Sequence, residues 1–264
     1  MKTWTVKVLI SLLALPTLLL PVVALGYILG RGIPGLRQVL GGEAEGFGLG
    51  GGLAGQAVGS ALLTAEACAV AAPVALGLAV WMRLHRKDRW LTGLYLLQGI
   101  PPIVYGLCGL AVFVQLLHWG ICLLAGILTL AALILPPLTL SALEALARVP
   151  QEQTEAAFAL GLSQWAVVAR VWLPGARAGL ATALLLAMAR TLSETAPILF
   201  TAAVFSGIVW PDSLFSPVTT LQTHIFYLAQ EGVDEHAIDT AWAAAVALIG
   251  LVFGCTPIGR GRRR

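Results

Sequence analysis

Charge is scarce in this sequence. Only 11% of its 264 residues are Asp, Glu, Lys or Arg, whereas soluble domains carry about 25% charged residues. Hydrophobic residues make up 58% of the chain, and the mean hydropathy is +0.88. This composition excludes an ordinary water-soluble domain and indicates an all-α, polytopic membrane protein.

Nucleotide and metal motifs are missing as well. No lysine follows the G-x-x-x-x-G-K-[ST] pattern of a phosphate-binding loop, so we expect no ATP hydrolysis by that route. Gly46, Gly48 and Gly51 match G-x-G-x-x-G, but a dinucleotide site requires a preceding strand, so we interpret 41–55 as a flexible external loop. The histidines form no catalytic cluster with carboxylates within a span. His118, His224 and His236 lie in or near predicted external loops, and His85 lies in a cytoplasmic one. We therefore predict no enzyme activity, cofactor or metal, with a membrane enzyme or an ATP-independent channel as the alternative.

Cysteine is also rare. The four cysteines lie within or at the ends of apolar segments and lack the spacing of metal ligands or of a disulfide framework. We expect them to be small hydrophobic residues of the interior. They are Cys68, Cys108, Cys122 and Cys255.

Long apolar segments are what the sequence does contain. A helix that crosses a bilayer needs roughly 20 mostly apolar residues at 1.5 Å per residue, and six segments pass this test. The first lacks a clean small-residue cleavage site, so we expect a span rather than a cleaved signal peptide. The predicted spans are Thr5 to Leu29, Leu53 to Met82, Gly93 to Leu117, Ile121 to Leu143, Gly175 to Val204 and Ala237 to Ile258.

The basic residues predict the orientation of these spans. With both termini in the cytoplasm, thirteen of the sixteen Lys and Arg residues lie on the cytoplasmic side. Arg31 and Arg37 would lie outside, and Arg190 lies within a span. We predict a multi-pass protein of the bacterial cytoplasmic membrane, in contact with lipid. The run from Arg260 to Arg264 is then a stop signal after the last span, and no nucleic-acid partner is expected.

One polar segment stands out between the fourth and fifth spans. It runs from Glu144 to Pro174 on the predicted cytoplasmic side of a single membrane domain, residues 1–264. Helix-forming residues follow Pro150, and Gly161 can take the left-handed conformation that ends a helix. We predict a short helix, a turn at Gly161 and a second amphipathic helix from Leu162 to Leu173, which Pro174 closes.

A fixed spacing of residues within this segment resembles the EAA loop of bacterial ABC importer permeases, E-A-A-x3-G-x9-I-x-L-P. The resemblance implies that the segment docks an ATPase subunit. Small residues at Ala156 and Ala157 would let the helix enter a groove on that partner, and Glu155 would pair with a basic group or cap a backbone amide. The matching residues are Glu155, Ala156, Ala157, Gly161, Val171 in place of Ile, Leu173 and Pro174.

Two further segments narrow the resemblance to the PstA-type permeases of phosphate importers. Met188 to Ala202 is similar to their A-R-x-x-G-E-T-A-P-L-L-F-T-A signature, and Gly99 to Gly106 is similar to G-x-P-S-I-V-Y-G. Thr240 to Ala245 resembles the start of their last span. Ser193 and Pro102 depart from the pattern, replacing a glycine and a serine.

This resemblance implies a type I importer permease of the MetI-like fold that translocates inorganic phosphate. The implied partners are an ATP-binding subunit, a second homologous permease and an extracytoplasmic phosphate-binding protein. The alternative cargo is another oxyanion, namely sulfate, molybdate or tungstate.

Two charges lie deep within the fifth predicted span. Arg190 and Glu194 are four residues apart, so they share one helix face and can pair. Charges at membrane depth cost a few kcal/mol and normally face a bundle interior or a water-filled path. We predict that Arg190, Glu194 and Thr195 line the translocation path, with a purely structural ion pair as the alternative. Glu66, in the second span, is predicted to make a polar contact within the bundle.

Overall fold

A computed structural model of the chain describes residues 2–40, 52–85, 88–204, 211–231 and 235–256. The regular secondary structure within these ranges is helical, which confirms the predicted all-α class. Five helices are long and apolar enough to cross a membrane, or six if one bent pair counts as a single span. The glycine match at 46–51 and the basic run at 260–264 lie outside the described residues.

The helices follow one another without intervening domains. In chain order they are α1 (Lys2–Leu40), α2 (Ala54–His85), α3 (Asp88–Gln98), α4 (Pro102–Gly109) with a π-helical continuation (Leu110–Leu116), α5 (Leu123–Ala147), α6 (Gln151–Ala159), α7 (Gln164–Val167) with a π-helical continuation (Val168–Trp172), α8 (Leu173–Leu192), α9 (Ala196–Thr201), α10 (Leu221–Glu231) and α11 (Glu235–Cys255).

Helix α5 is the centre of the bundle. In its most apolar stretch 72% of the residues are buried, against none in the corresponding stretch of α1. It packs between α2 and α8, and Leu130 and Ile134 have no exposed surface. Helix α1 instead lies along α11, where a side chain at Gly32 would overlap the Trp242 carbonyl. The apolar outer face of α1 therefore suits contact with lipid.

The third predicted span is not one straight helix. Helices α3 and α4 are bent by 91° at a short break that contains Pro101. Proline donates no backbone hydrogen bond, and Pro101 and Pro102 stand at the cap and first position of α4. The predicted span from Gly93 to Leu117 is therefore a bent pair of helices, divided at 99–101.

The fifth predicted span is displaced towards the N-terminus. A continuous helix begins at Gln164, passes through the π-helical turn and Pro174, and ends at Leu192. Pro174 does not end a helix as predicted. It lies at the start of α8, directly after the π-helical turn. The chain leaves the helical conformation at 193–195, before α9 begins. The predicted span, which extended to Val204, is therefore wrong beyond Leu192.

Candidate functional site

The segment 151–172, called here the α6 hairpin, has the predicted helix, turn and helix. Gly161 takes φ +81°, and its N–H donates to the Phe158 carbonyl at 2.9 Å. A left-handed φ suits glycine, and the turn ends α6 as predicted. The Leu162 N–H donates to the Ala157 carbonyl at 3.2 Å, and the Ser163 hydroxyl accepts the Ala166 N–H at 3.4 Å to cap α7.

The motif residues of α6 face two ways. Glu155, Ala156 and Gly161 are exposed, whereas Ala157 is only 6% exposed and packs into a buried cluster with Val167 and residues of α5. The small size of Ala157 thus serves packing within this chain, and its contact with a partner stays a prediction. Glu155 accepts a hydrogen bond from Gln151 Nε2 at 2.8 Å, and no basic partner for it is found in the described chain.

Three large apolar side chains of the hairpin are exposed. Phe158, Leu160 and Trp165 are 44%, 81% and 71% exposed. Their signal in the sequence is the presence of large apolar residues in a short polar segment that lies between spans. Exposed large apolar side chains of this kind occur on surfaces that contact another protein or the membrane.

The predicted pair of charges lies at the end of α8. Arg190 is in the last turn of the helix and Glu194 is just beyond it, with 3.6 Å between Arg190 Nε and Glu194 Oε1. This confirms the pairing that the four-residue spacing predicted. The Arg190 side chain is 37% exposed and the Glu194 side chain 16%. Thr195, half-buried, occupies the break immediately before α9.

Arg190 lines an open cavity between α5 and α8. The cavity has a volume of about 190 Å³, and Pro137 and Ser141 lie on its α5 side. A second cavity of about 280 Å³ shares Ser141 with it and reaches Glu144 and Arg148. Together they form a groove along α5 and α8, from Arg190 to the end of the bundle that carries the α6 hairpin.

A buried polar network holds the break after α8. Gln222 Nε2 donates to the Leu192 carbonyl at 2.7 Å, and the Ser60 hydroxyl donates to Gln222 Oε1 at 2.8 Å. Ser60 Oγ in turn accepts the Leu221 N–H at 2.8 Å. Irregular backbone at membrane depth requires such replacement partners. This network, called here the Gln222 clamp, joins α2, α8 and α10.

Helix α10 was interpreted as external loop, and His224 was placed in or near that loop. The structure instead buries His224 within a helix. Burial lowers the pKa of His224 to about 4, because the charged imidazolium loses its hydration. The imidazole is therefore neutral at pH 7, and it does not add a positive charge to this part of the bundle.

The match to a family of known proteins covers most of these elements. A family described as "binding-protein-dependent transport system inner membrane component" matches residues 71–257. The chain belongs to this family. Its membership accounts for the MetI-like helical fold and for the multi-pass membrane topology.

Individual relatives support the PstA-type resemblance. The chain is 34% identical over 193 residues to a phosphate transport system permease protein PstA homolog of Mycoplasma pneumoniae, covering 68% of this chain and 29% of that protein. It is 35% identical over 171 residues to the phosphate transport system permease protein PstA 2 of Mycobacterium bovis, covering 64% and 56%. It is 33% identical over 175 residues to the probable ABC transporter permease protein YqgI of Bacillus subtilis, covering 61% and 60%. The chain thus spans less than two thirds of the length of these relatives.

The two segments that carry the PstA-type resemblance pack against each other in this family member. Helix α9 lies on α4, and a Cβ added at Gly106 would stand 2.9 Å from Pro197 Cα. Glycine at 106 therefore permits the close approach of the two helices. The Tyr105 hydroxyl donates to the Leu97 carbonyl at 3.0 Å, across the break between α3 and α4. Both broken spans thus meet near the Arg190 end of the groove.

Glu66, the remaining acidic candidate, was predicted to make a polar contact within the bundle. Glu66 Oε2 is buried and has no hydrogen-bond partner among the described residues. Within the same ranges, no three His, Cys, Asp or Glu side chains come together as a metal site would require. The α6 hairpin and the groove that Arg190 lines are therefore the two candidate functional sites.

Proposed function

We propose that this chain is the permease subunit of an ATP-driven ABC importer and that it carries inorganic phosphate across the bacterial inner membrane. The position of Arg190 carries the proposal. Its guanidinium is partly exposed to a groove, beside a break in the helix and within the segment that resembles the PstA signature. Guanidinium groups bind phosphate with several hydrogen bonds at once and stay charged at every physiological pH.

Glu194 has a different role in this proposal. It is less exposed than Arg190 and holds the guanidinium on one side, which leaves the other N–H groups to meet an anion. One carboxylate beside one guanidinium also limits the net charge, so that an anion binds weakly enough to be released. Thr195 adds a hydroxyl at the same break. The groove beyond Arg190 leads to Arg148, which offers a second positive charge near the exit.

The α6 hairpin is the proposed docking site for the ATPase subunit. Glu155, Ala156 and Gly161 are accessible there, and the exposed apolar side chains add an area that a partner would bury. Positive charges at the same end of the bundle support a cytoplasmic position for the hairpin and for both termini. They belong to Arg83, Arg148, Arg170 and Arg177.

Transport would then require several chains. A second homologous permease would close the groove, and an extracytoplasmic phosphate-binding protein would deliver the anion. Closure of the ATPase subunits on ATP would push the α6 hairpin and switch the bundle from inward-open to outward-open. This chain would serve as conduit and transmission element, and ATP would be hydrolysed by its partner.

Replacement of Arg190 tests the proposal. In the complete transporter, Arg190→Gln should reduce phosphate uptake to background while the ATPase subunit still co-purifies, because a neutral amide cannot replace the charge. Arg177→Gln, at an exposed position elsewhere on α8, is the matched control and should keep uptake near the unmodified level. Uptake of labelled phosphate and ATPase recovery are the two measurements.

Three results would contradict parts of the proposal. Near-normal uptake by Arg190→Gln would remove Arg190 from the path. Competition of phosphate uptake by sulfate, molybdate or tungstate at equal concentration would assign another oxyanion as cargo. Failure of the unmodified chain to recover an ATPase subunit in mild detergent would favour an ATP-independent channel or membrane enzyme.

A further inference from the structure

The α6 hairpin is attached to the spanning helices by a chain of directional contacts. Trp172 Nε1 donates to the Thr154 hydroxyl of α6 at 3.0 Å. The Arg83 guanidinium of α2 lies 4.0 Å from the centre of the Trp172 ring, in a cation–π contact. Arg83 Nη1 also donates to the Leu146 carbonyl at the end of α5. Thr154, Trp172 and Arg83 thus connect α6 to α2 and α5 without interruption.

These contacts provide a directional restraint that the surrounding apolar packing does not provide. Ala157, Val167 and Trp172 belong to one buried cluster with residues of α2 and α5. Dispersion contacts between small apolar groups tolerate sliding, whereas a hydrogen bond weakens steeply when its angle changes. Trp172 is 5% exposed, so its N–H depends on Thr154 for its partner. The polar contacts therefore fix the register of α6 on the bundle.

We propose that Thr154, Trp172 and Arg83 are positioning residues that make α6 move as one body with α2 and α5. This inference rests on the proposed docking of an ATPase at the α6 hairpin. A push on α6 would then reach the spanning helices through a fixed linkage, and the loss of the linkage would let α6 yield to the ATPase without moving the bundle. None of the three side chains needs to touch the ATPase or the transported anion.

The linkage can be cut at one bond. Thr154→Val removes the acceptor at nearly constant shape, and Trp172→Phe removes the donor while it keeps a ring against Arg83. We expect either variant to speed amide hydrogen exchange of α6 about fivefold, the effect of one lost hydrogen bond. Uptake of labelled phosphate per ATP hydrolysed by the reconstituted transporter should fall by a similar factor, with ATPase recovery unchanged.

Three comparisons separate this role from a general loss of packing. Thr154→Ser keeps the hydroxyl and should behave as the unmodified chain. The double variant should be no worse than either single variant, because both cut the same bond. Thr17→Val removes a hydroxyl that bonds within α1, and it should change neither measurement.

Each outcome bears on one claim. Unchanged exchange of α6 in both single variants, or losses that multiply in the double variant, would overturn the linkage. Faster exchange with an unchanged ratio of uptake to ATP hydrolysis would overturn its role in coupling. Absence of an ATPase from the unmodified complex would instead overturn the proposed function, while the exchange measurement on the full chain would still test the linkage.

Discussion

The α6 hairpin and the break after α8 are stabilised in opposite ways. The hairpin closes its own turn with local backbone bonds, and it buries Ala157 while it exposes large apolar side chains. At the break, the freed Leu192 carbonyl receives its hydrogen bond from Gln222, 30 residues away in sequence. The turn of the hairpin is therefore determined locally, although contacts with α2 and α5 fix the hairpin on the bundle. At the break after α8, by contrast, a freed carbonyl is satisfied by a distant element of this chain.

Loss of the Gln222 clamp is the strongest way to test this contrast. Gln222→Leu leaves the Leu192 carbonyl and the Ser60 hydroxyl without their partner, at about 1–3 kcal/mol for each buried group. We expect the free energy of unfolding to fall by about 2–6 kcal/mol, the sum for the two groups, and phosphate uptake to fall with it, because the backbone that carries Glu194 is no longer held. Reversible unfolding in mixed detergent micelles measures the stability.

Gln230→Leu is the control for this variant. Gln230 lies on the same helix but is exposed, so its replacement should leave both stability and uptake nearly unchanged. Equal stability of the two variants would show that the break does not depend on the clamp. The contrast between a locally and a remotely supported region would then fail.

Adjacent alanines in α6 test the other side of the comparison. Ala157→Leu forces extra volume into a packed cluster, and we expect it to lower the free energy of unfolding by about 1–3 kcal/mol. Ala156→Leu places the same side chain on the exposed side, where we expect little change in stability but weaker recovery of the ATPase subunit.

The opposite result would support the interpretation of Ala157 as a contact for the ATPase subunit. If Ala157→Leu impaired ATPase recovery without a loss of stability, Ala157 would be a contact for the partner. Thermal unfolding and co-purification of the same preparations distinguish the two cases.

The same contrast explains what could be predicted from the sequence. The hairpin was predicted in outline, since Pro150, Gly161 and the polar composition between two spans are local signals. The pairing of Arg190 with Glu194 also followed from local spacing. Neither prediction required knowledge of what packs against the segment.

The breaks could not be predicted in the same way. Mostly apolar residues resume at 196–204 after three polar ones, so hydropathy extends the fifth span beyond Leu192, although the helix ends where Gln222 can take over a carbonyl. The motif also could not predict that the Ala157 side chain is buried, because the spacing of its residues does not indicate which helix face packs against the bundle. Helix α10 was missed because its buried residues are mixed: Gln222, Thr223 and His224 are buried together with Leu221 and Leu228, so no continuous apolar pattern marks the helix.

The break between α3 and α4 gives the smallest and finest test of the comparison. As at the break after α8, a side chain donates a hydrogen bond to a backbone carbonyl that the break leaves free. Here the donor Tyr105 lies close in sequence to the acceptor, Leu97, and the hydrogen bond is exposed. Side-chain hydrogen bonds across helices in membranes contribute about 0.6 kcal/mol on average, so Tyr105→Phe should lower the free energy of unfolding by about that much. Tyr95→Phe, on the exposed side of α3, is the control and should have no measurable effect. A loss as large as that of Gln222→Leu would mean that both breaks depend equally on their side-chain partners, and burial would no longer explain their difference.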